Sequence, residues 1–364
     1  MLKRLSLLMA AVLCAWQLFG CSGRFDNVID HFRNDVEAEY LTEAEAEERP
    51  FYQQLNNNEK AVYTAIYRGV LDHADEVRFS ETIDGETYAK IYTMILRQES
   101  ALFYMDYSYN YAKKLNRAEL TYAENNTETC GRMSEELRET AESVLSEIPD
   151  SADDFEKVLA IHDYIIDRCE YKDGDFLNLT AYGCLVNGDS ICSGYAQAFD
   201  YLAKAAGLKS VVVTGISNDE AHSWNQVLVD GEWYNIDVTW DDAGIQHANF
   251  LCDDTSFNIN HFADENEAQP FECSCDINNY YKKYDLFIED FDDADRILNR
   301  EIAKQSGYIE LRLADSDLYS DFVEIYISQE QRIFDFFREN DLDSDEISLT
   351  EEETHNYIRI DYAI

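Results

Sequence analysis

The sequence predicts an α+β fold, and three observations predict it. Apolar residues recur at helical spacing over three separated stretches. Two β-rich segments flank an Asp-Gly pair. The chain beyond about Leu286 alternates helix-like and strand-like pieces. Composition agrees with packed units: hydrophobic residues reach 46% with only Gly 14 and Pro 3, which removes collagen-like, linker-like and wholly disordered readings. A length of 364 residues suggests two or three folded units. Lys+Arg 29 against Asp+Glu 74 gives a net charge of −45, so nucleic acid is not an expected partner, because phosphate recognition needs clustered cations. The acidic residues are spread along the chain and serve solubility first.

The elements follow in chain order. Lys3 and Arg4 precede the apolar run Leu5–Phe19, which is too short for a confident membrane span and has the shape of an export signal over residues 1–21. Leu18-Phe19-Gly20-Cys21 resembles the bacterial lipobox. That resemblance implies lipidation of Cys21 and a chain anchored on the outer face of the cell membrane, with plain secretion as the alternative. Residues 22–149 form a mostly helical region. Val62, Ile66 and Val70 fall on one stripe, and Glu37–Glu48 is a solvated linker or helix face. The aromatic-rich Tyr92–Tyr111 packs as core or lines a glycan or peptide groove.

Residues 150–285 open with Asp150-Ser151 and Asp153, a helix-start pattern, after which Phe155, Leu159, His162 and Ile166 continue a buried stripe. His162 is thereby expected to be a core histidine with satisfied partners. A loop over 171–179 and the segment Ala181–Gly188 follow. A helix then begins at or near Cys192, buries Ala196, Phe199, Leu202 and Ala203, and stops at Gly207, a favoured helix-ending residue. Leu208–Gly215 reads as a buried strand. Ser223–Val229 and Glu232–Trp240 read as strands joined by Asp230-Gly231, a strong two-residue hairpin signal. Residues 286–364 form a small α/β appendage, with Ile309–Leu313 and Tyr357–Tyr362 strand-like.

Cys192 carries the chemistry. At the first turn of a helix its sulfur meets unpaired backbone N–H groups and the positive end of the helix dipole, a setting that favours the thiolate needed for acyl transfer. A base lies downstream. A two-residue loop pairs Val229 with Glu232, which sets His222 opposite Thr239 and Trp224 opposite Asp237. His222 and Asp237 are then diagonal neighbours on one face, roughly 7–8 Å apart at the backbone. Trp224, Gln226, Trp233 and Asn235 share that face, while Val227, Val229, Tyr234, Ile236, Val238 and Trp240 face the core. A three-residue loop would separate the pair. The roles follow: Cys192 attacks a carbonyl, His222 relays the proton, and Asp237 orients the imidazole.

Three blocks, Thr180–Phe199, Ala221-His-Ser-Trp-Asn225 and Trp233–Asp242, together resemble bacterial transglutaminase-like domains, with cysteine, histidine and aspartate in the family order. The resemblance covers about Asp150 to Asp285. It implies a papain-like transglutaminase core, a cysteine-bearing helix packed on an antiparallel sheet, with the triad Cys192, His222 and Asp237. Phe250-Leu251 resembles the strand that closes such a domain. Tyr182, Asn187 and Trp224 are the candidate substrate-pocket residues. The implied activity is cysteine-dependent acyl transfer on amide bonds of extracellular or cell-wall protein or peptide, through a thioester resolved by water or by an amine. The alternative is a non-catalytic binding or scaffold lipoprotein that keeps the fold.

Of nine cysteines, Cys14 leaves with the signal, Cys21 is the anchor and Cys192 the nucleophile. Nothing in the sequence selects a pairing among Cys130, Cys169, Cys184, Cys252, Cys273 and Cys275. Cys273-Ser-Cys275 lacks a second matched pair for zinc. Asp341–Glu352 is similar to a calcium-binding EF-hand loop but has Glu346 where glycine is required. No metal and no cofactor is expected.

Overall fold

The computed structural model describes residues 36–364. The export signal and Cys21 therefore lie outside the described residues. The chain divides into two compact units. One comprises the described part of Met1–Thr42 with Leu55–Tyr92 and Asp106–Thr121; the other comprises Glu43–Gln54, Thr93–Met105 and Tyr122–Ile364.

In the first unit, helix α1 (Asn57–Leu71) begins with a capping box: Asn56 accepts from the Asn58 and Glu59 amides, and Glu59 accepts from the Asn56 amide. Its buried side holds Val62, Ile66 and Val70. Three short antiparallel strands, β1 (Glu76–Arg78), β2 (Asn110–Ala112) and β3 (Arg117–Glu119), pair in the order β1-β3-β2. Tyr88 and Tyr92 are fully buried, and Tyr88 stacks on Tyr111 with centroids 4.4 Å apart. Of the aromatic stretch expected to be core, Tyr92 is buried here, and Phe103 and Tyr104 are buried in the second unit, whereas Tyr107 and Tyr109 are exposed. The acidic stretch is helical over Glu43–Glu47, which falls in the second unit and buries no residue.

In the second unit, helix α2 (Thr127–Ser146) precedes α3 (Asp154–Arg168), which is capped by Asp153 in another capping box with Glu156. The buried line of α3 is Phe155, Val158, Ile161, His162 and Ile165. Leu159 and Ile166, expected within it, are half-buried at its margin. One residue turns the helix by about 100°, so a stripe read one step off lands on the flank. Helix α4 (Cys192–Ala205) buries Ala196, Phe199, Leu202 and Ala203 and ends at Ala206 before Gly207, whose φ is 81°.

Helix α4 packs across a four-stranded antiparallel sheet. Its strands are β4 (Lys209–Ser217), β5 (Glu220–Val229), β6 (Glu232–Ile236) and β7 (His261–Ala263), in the order β6-β5-β4-β7. Asp230 and Gly231 turn with φ of 53° and 89°, and Val229 pairs with Glu232 as the two-residue loop requires. The second strand ends at Ile236, short of the Trp240 that the sequence suggests. Asp237 instead caps helix α5 (Val238–Ala243), accepting from the Thr239 and Trp240 amides. This capping chemistry overrides the strand preference of Val-Thr-Trp. The pairing of His222 with Thr239 is therefore not made; His222 pairs with Gly215 of β4. The polar face is not open either. Gln226 exchanges hydrogen bonds with the Phe271 backbone, Asn235 donates to Asp254, and Trp233 stacks on Phe271 at 4.1 Å. Phe250-Leu251 is not a strand; the neighbouring Cys252 makes one isolated bridge to Asn235.

Beyond Asp285, β8 (Phe287–Ile288), helix α6 (Phe291–Ala303), β9 (Tyr308–Leu313), β10 (Ile347–Glu352) and β11 (Tyr357–Tyr362) form a second sheet in the order β8-β9-β11-β10. Its core, with Leu298, Ile302, Leu311 and Ile358 fully buried, also takes in Ile245, Ala248 and Tyr281. The EF-hand-like stretch ends in β10: Glu351 accepts from the Tyr319 hydroxyl and Glu352 from His355. All described cysteines are free thiols.

Candidate active site

Helix α4 starts at Cys192, and the preceding Ile191 supplies no capping side chain. The Gly194 and Tyr195 amides turn back on the Ile191 carbonyl, at 2.9 and 3.1 Å, and the positive end of the helix dipole favours negative charge at its start. The turn before it is held by Ser190, whose hydroxyl donates to the Asn178 carbonyl at 2.6 Å, and by the Ile191 amide, which donates to the same oxygen at 3.0 Å. Ser193 donates to the Leu179 carbonyl at 3.2 Å. Cys192 is half-buried, unlike the fully buried Cys130, Cys169, Cys184, Cys252 and Cys273. Tyr171 lies close enough to interact with it, and burial together with the neighbouring Cys192 raises the Tyr171 phenol above its ordinary range.

Strand β5 presents His222 to both partners. Its Nε2 lies 2.6 Å from Asp237 Oδ2, and its imidazole interacts with the Cys192 side chain. Asp237 has no exposed surface. Oδ1 accepts from the Thr239 and Trp240 amides at 3.0 and 3.1 Å, and Oδ2 accepts from a second histidine, His261 of β7, at 3.0 Å. The His222 ring lies near Trp240, at 5.4 Å, and Trp224, at 6.3 Å.

Burial opposes charge on His222, but the Asp237 carboxylate and, behind it, Cys192 outweigh that and raise the imidazole to about 10. Burial likewise opposes charge on Asp237, yet the two imidazoles hold its carboxyl well below the usual range. His247, elsewhere in this unit, is raised to about 9 against its burial by Asp163 and Glu310. A histidine raised on folding contributes stability that is complete below its unfolded value of 6.5 and is lost as the pH climbs through the folded value. The urea midpoint is therefore expected to fall between pH 6.5 and about 10, and His222→Gln to flatten that slope. A midpoint that is constant across this window would contradict the pairing.

The structure thus brings Cys192, His222 and Asp237 together. It places the pocket candidates differently. The Tyr182 hydroxyl donates to Glu136 Oε2 at 2.6 Å and its ring stacks on Phe103, so it is buried packing. Asn187 is exposed at the end of the helical turn Gly183–Asn187, which closes at Gly188. Trp224 is buried and meets His261 edge-on at 5.2 Å, forming a wall behind the relay. Sequence reasoning missed His261 and Tyr171. Neither sits in a motif, and only strand pairing 24 residues beyond Asp237 brings His261 onto its oxygen.

A nucleophilic sulfur, a charged imidazole and an orienting carboxylate in series can open an amide through a covalent intermediate. Comparison with known proteins is consistent with this inventory. Residues 139–238 match the Transglutaminase-like superfamily, a stretch that contains all three groups. The chain is 28% identical over 123 residues to Kyphoscoliosis peptidase of Homo sapiens, covering 28% of this chain and 19% of that protein. It is 29% identical over 104 residues to the Mus musculus protein of the same name, covering 24% of this chain and 16% of that one. The matched stretch spans less than a fifth of the length of these curated relatives. A crystal structure of a TGase aligns with 45% of this chain and 50% of its own at 17% identity, with a TM-score of 0.27.

Proposed function

We infer that this chain, which carries a transglutaminase-like domain, is a cell-surface cysteine-dependent acyl-transfer enzyme acting on amide bonds of extracellular or cell-wall protein or peptide. The observation that carries the reading is the relay from Cys192 through His222 to the buried carboxylate of Asp237. In the first half-reaction the Cys192 sulfur attacks the amide carbon. The S–C bond forms, the C–N bond breaks, and the leaving amine takes its proton from His222. In the second half-reaction water or a primary amine attacks the thioester carbon: the C–O or C–N bond forms, the C–S bond breaks, the attacking group gives its proton to His222, and the thiolate–imidazolium pair is restored. Amides at the start of α4 hold the oxyanion; loss of one such donor typically costs about 3 kcal/mol of barrier. The surface location rests on the export signal and lipobox-like Cys21, and lipid incorporation lost in Cys21→Ala tests it.

Iodoacetamide at mildly acidic pH is expected to label Cys192 ahead of Cys275, the other half-buried thiol among the described residues, and His222→Ala to slow that labelling. Equal rates at the two thiols would point to the scaffold reading instead. Incorporation of a primary amine into a glutamine-containing substrate would identify transfer, and release of free acid without incorporation would identify hydrolysis.

A further inference from the structure

We propose that His162, Asp163 and His247 form a binding site for a divalent metal ion of the zinc type, separate from the Cys192 relay. His162 and Asp163 are consecutive on α3, and His247 lies in the loop after α5. His162 Nδ1 is 2.9 Å and His247 Nε2 is 3.1 Å from the same oxygen, Asp163 Oδ1, and one ligand atom from each residue lies within 4.8 Å of the others. Tetrahedral zinc with nitrogen and oxygen ligands at about 2.0–2.2 Å sets neighbouring ligand atoms about 3.3 Å apart, close to the separation of Asp163 Oδ1 from each of the two ring nitrogens.

The far side of each ring is the second, independent observation. His162 Nε2 is 3.1 Å from Asp241 Oδ2, and His247 Nδ1 is 3.1 Å from Glu310 Oε2. A carboxylate on the outer nitrogen is how proteins orient metal-binding histidines. Both carboxylates are themselves held. Asp241 Oδ1 accepts from the Asn249 amide and side chain, and Glu310 Oε1 accepts from Arg359 and the Gln246 amide. The His247 ring lies flat on Tyr280 at 3.7 Å, which fixes its plane. Both histidines are buried, while the Asp163 side chain is 37% exposed, so the cluster reaches solvent on the Asp163 side. Two imidazoles and one carboxylate suit zinc and its late first-row neighbours and are a poor match for calcium, which takes oxygen.

Such an ion would join α3 to the loop after α5 and, through Glu310, to β9. Helix α5 connects it with the relay: Asp237 caps that helix and Asp241 lies one turn on. The cluster His222, Asp237 and His261 is a rival metal site, so the test must separate the two.

The full chain carrying Cys192→Ala is to be titrated with zinc and, separately, with cobalt(II). Expected are a single ion per chain, a higher melting temperature with zinc, and visible cobalt bands without a sulfur charge-transfer band. Asp163→Asn, checked for folding by circular dichroism, is expected to weaken zinc binding at least tenfold; Glu310→Gln, which leaves the three ligands in place, is expected to weaken it about 10–100-fold. His261→Asn is expected to leave it unchanged. Absence of zinc binding by the Cys192→Ala chain would overturn the proposal. So would affinity unchanged in both Asp163→Asn and Glu310→Gln, or affinity lost in His261→Asn.

Discussion

Asp237→Asn is expected to lower kcat/KM by about 10⁴-fold, with the loss in kcat, because the substitution reverses a tautomer rather than removing a contact. The Thr239 and Trp240 amides both donate to Oδ1, so the asparagine carbonyl stays there and its NH₂ turns to the position of Oδ2. His222 Nε2, 2.6 Å from that position, must then accept rather than donate. The ring proton moves to Nδ1, the nitrogen left to face Cys192, and His222 can no longer take a proton there. His261 suffers the same reversal at 3.0 Å. A steady-state assay on an amide or ester substrate, with KM measured beside kcat, checks this. A loss below tenfold, or one confined to KM, would mean that Asp237 does not orient the base. Asp237→Ala is the less informative variant, because removing one partner of a buried ion pair costs about 3–5 kcal/mol of stability and confuses the readout.

Gly194→Ala is expected to destabilise the second unit by about 3 kcal/mol, the upper end for overpacking. A Cβ at Gly194 would stand 1.8 Å from Ser190 Oγ and 2.8 and 2.9 Å from the Thr180 and Asn178 carbonyl oxygens. The hydroxyl could rotate, but the two carbonyls belong to the turn that positions Cys192. The helix start must therefore shift. The urea midpoint should fall, and iodoacetamide labelling of Cys192 should slow relative to Cys275. Gly131→Ala is the control: it lies within α2 with nothing within 4 Å of its Cβ, and is expected to stabilise by about 0.5–1 kcal/mol. Equal stability of the two variants would mean that the turn before α4 does not constrain Cys192.

Much of the site was legible in the sequence. The spacing of Ala196, Phe199, Leu202 and Ala203 put a helix behind Cys192, and Asp230-Gly231 set an even loop whose pairing of Val229 with Glu232 is the one observed. His222 and Asp237 do meet, but not as the diagonal strand neighbours that register predicts, since the ladder ends at the pair Asn225 and Ile236. Asp237 reaches the imidazole as a helix cap, one residue after the strand has ended. A strand preference in Val238-Thr239-Trp240 and a capping aspartate compete locally, and which prevails depends on where the chain must go next.

What the sequence determined by itself is whatever repeats over a few residues: the helix stripes, the hairpin turn and its register, and the order of cysteine, histidine and aspartate. Tertiary structure alone decided the groups that surround them. It put His261 on Asp237, covered the polar face of the hairpin with the segment around Phe271, and drew His162, Asp163, Asp241, His247 and Glu310 into one buried network. Periodicity reports which way a side chain points along its own element, whereas partners that are tens of residues away are chosen by how elements pack. A carboxylate or an imidazole carries no local mark of the partner that will satisfy it once water is gone.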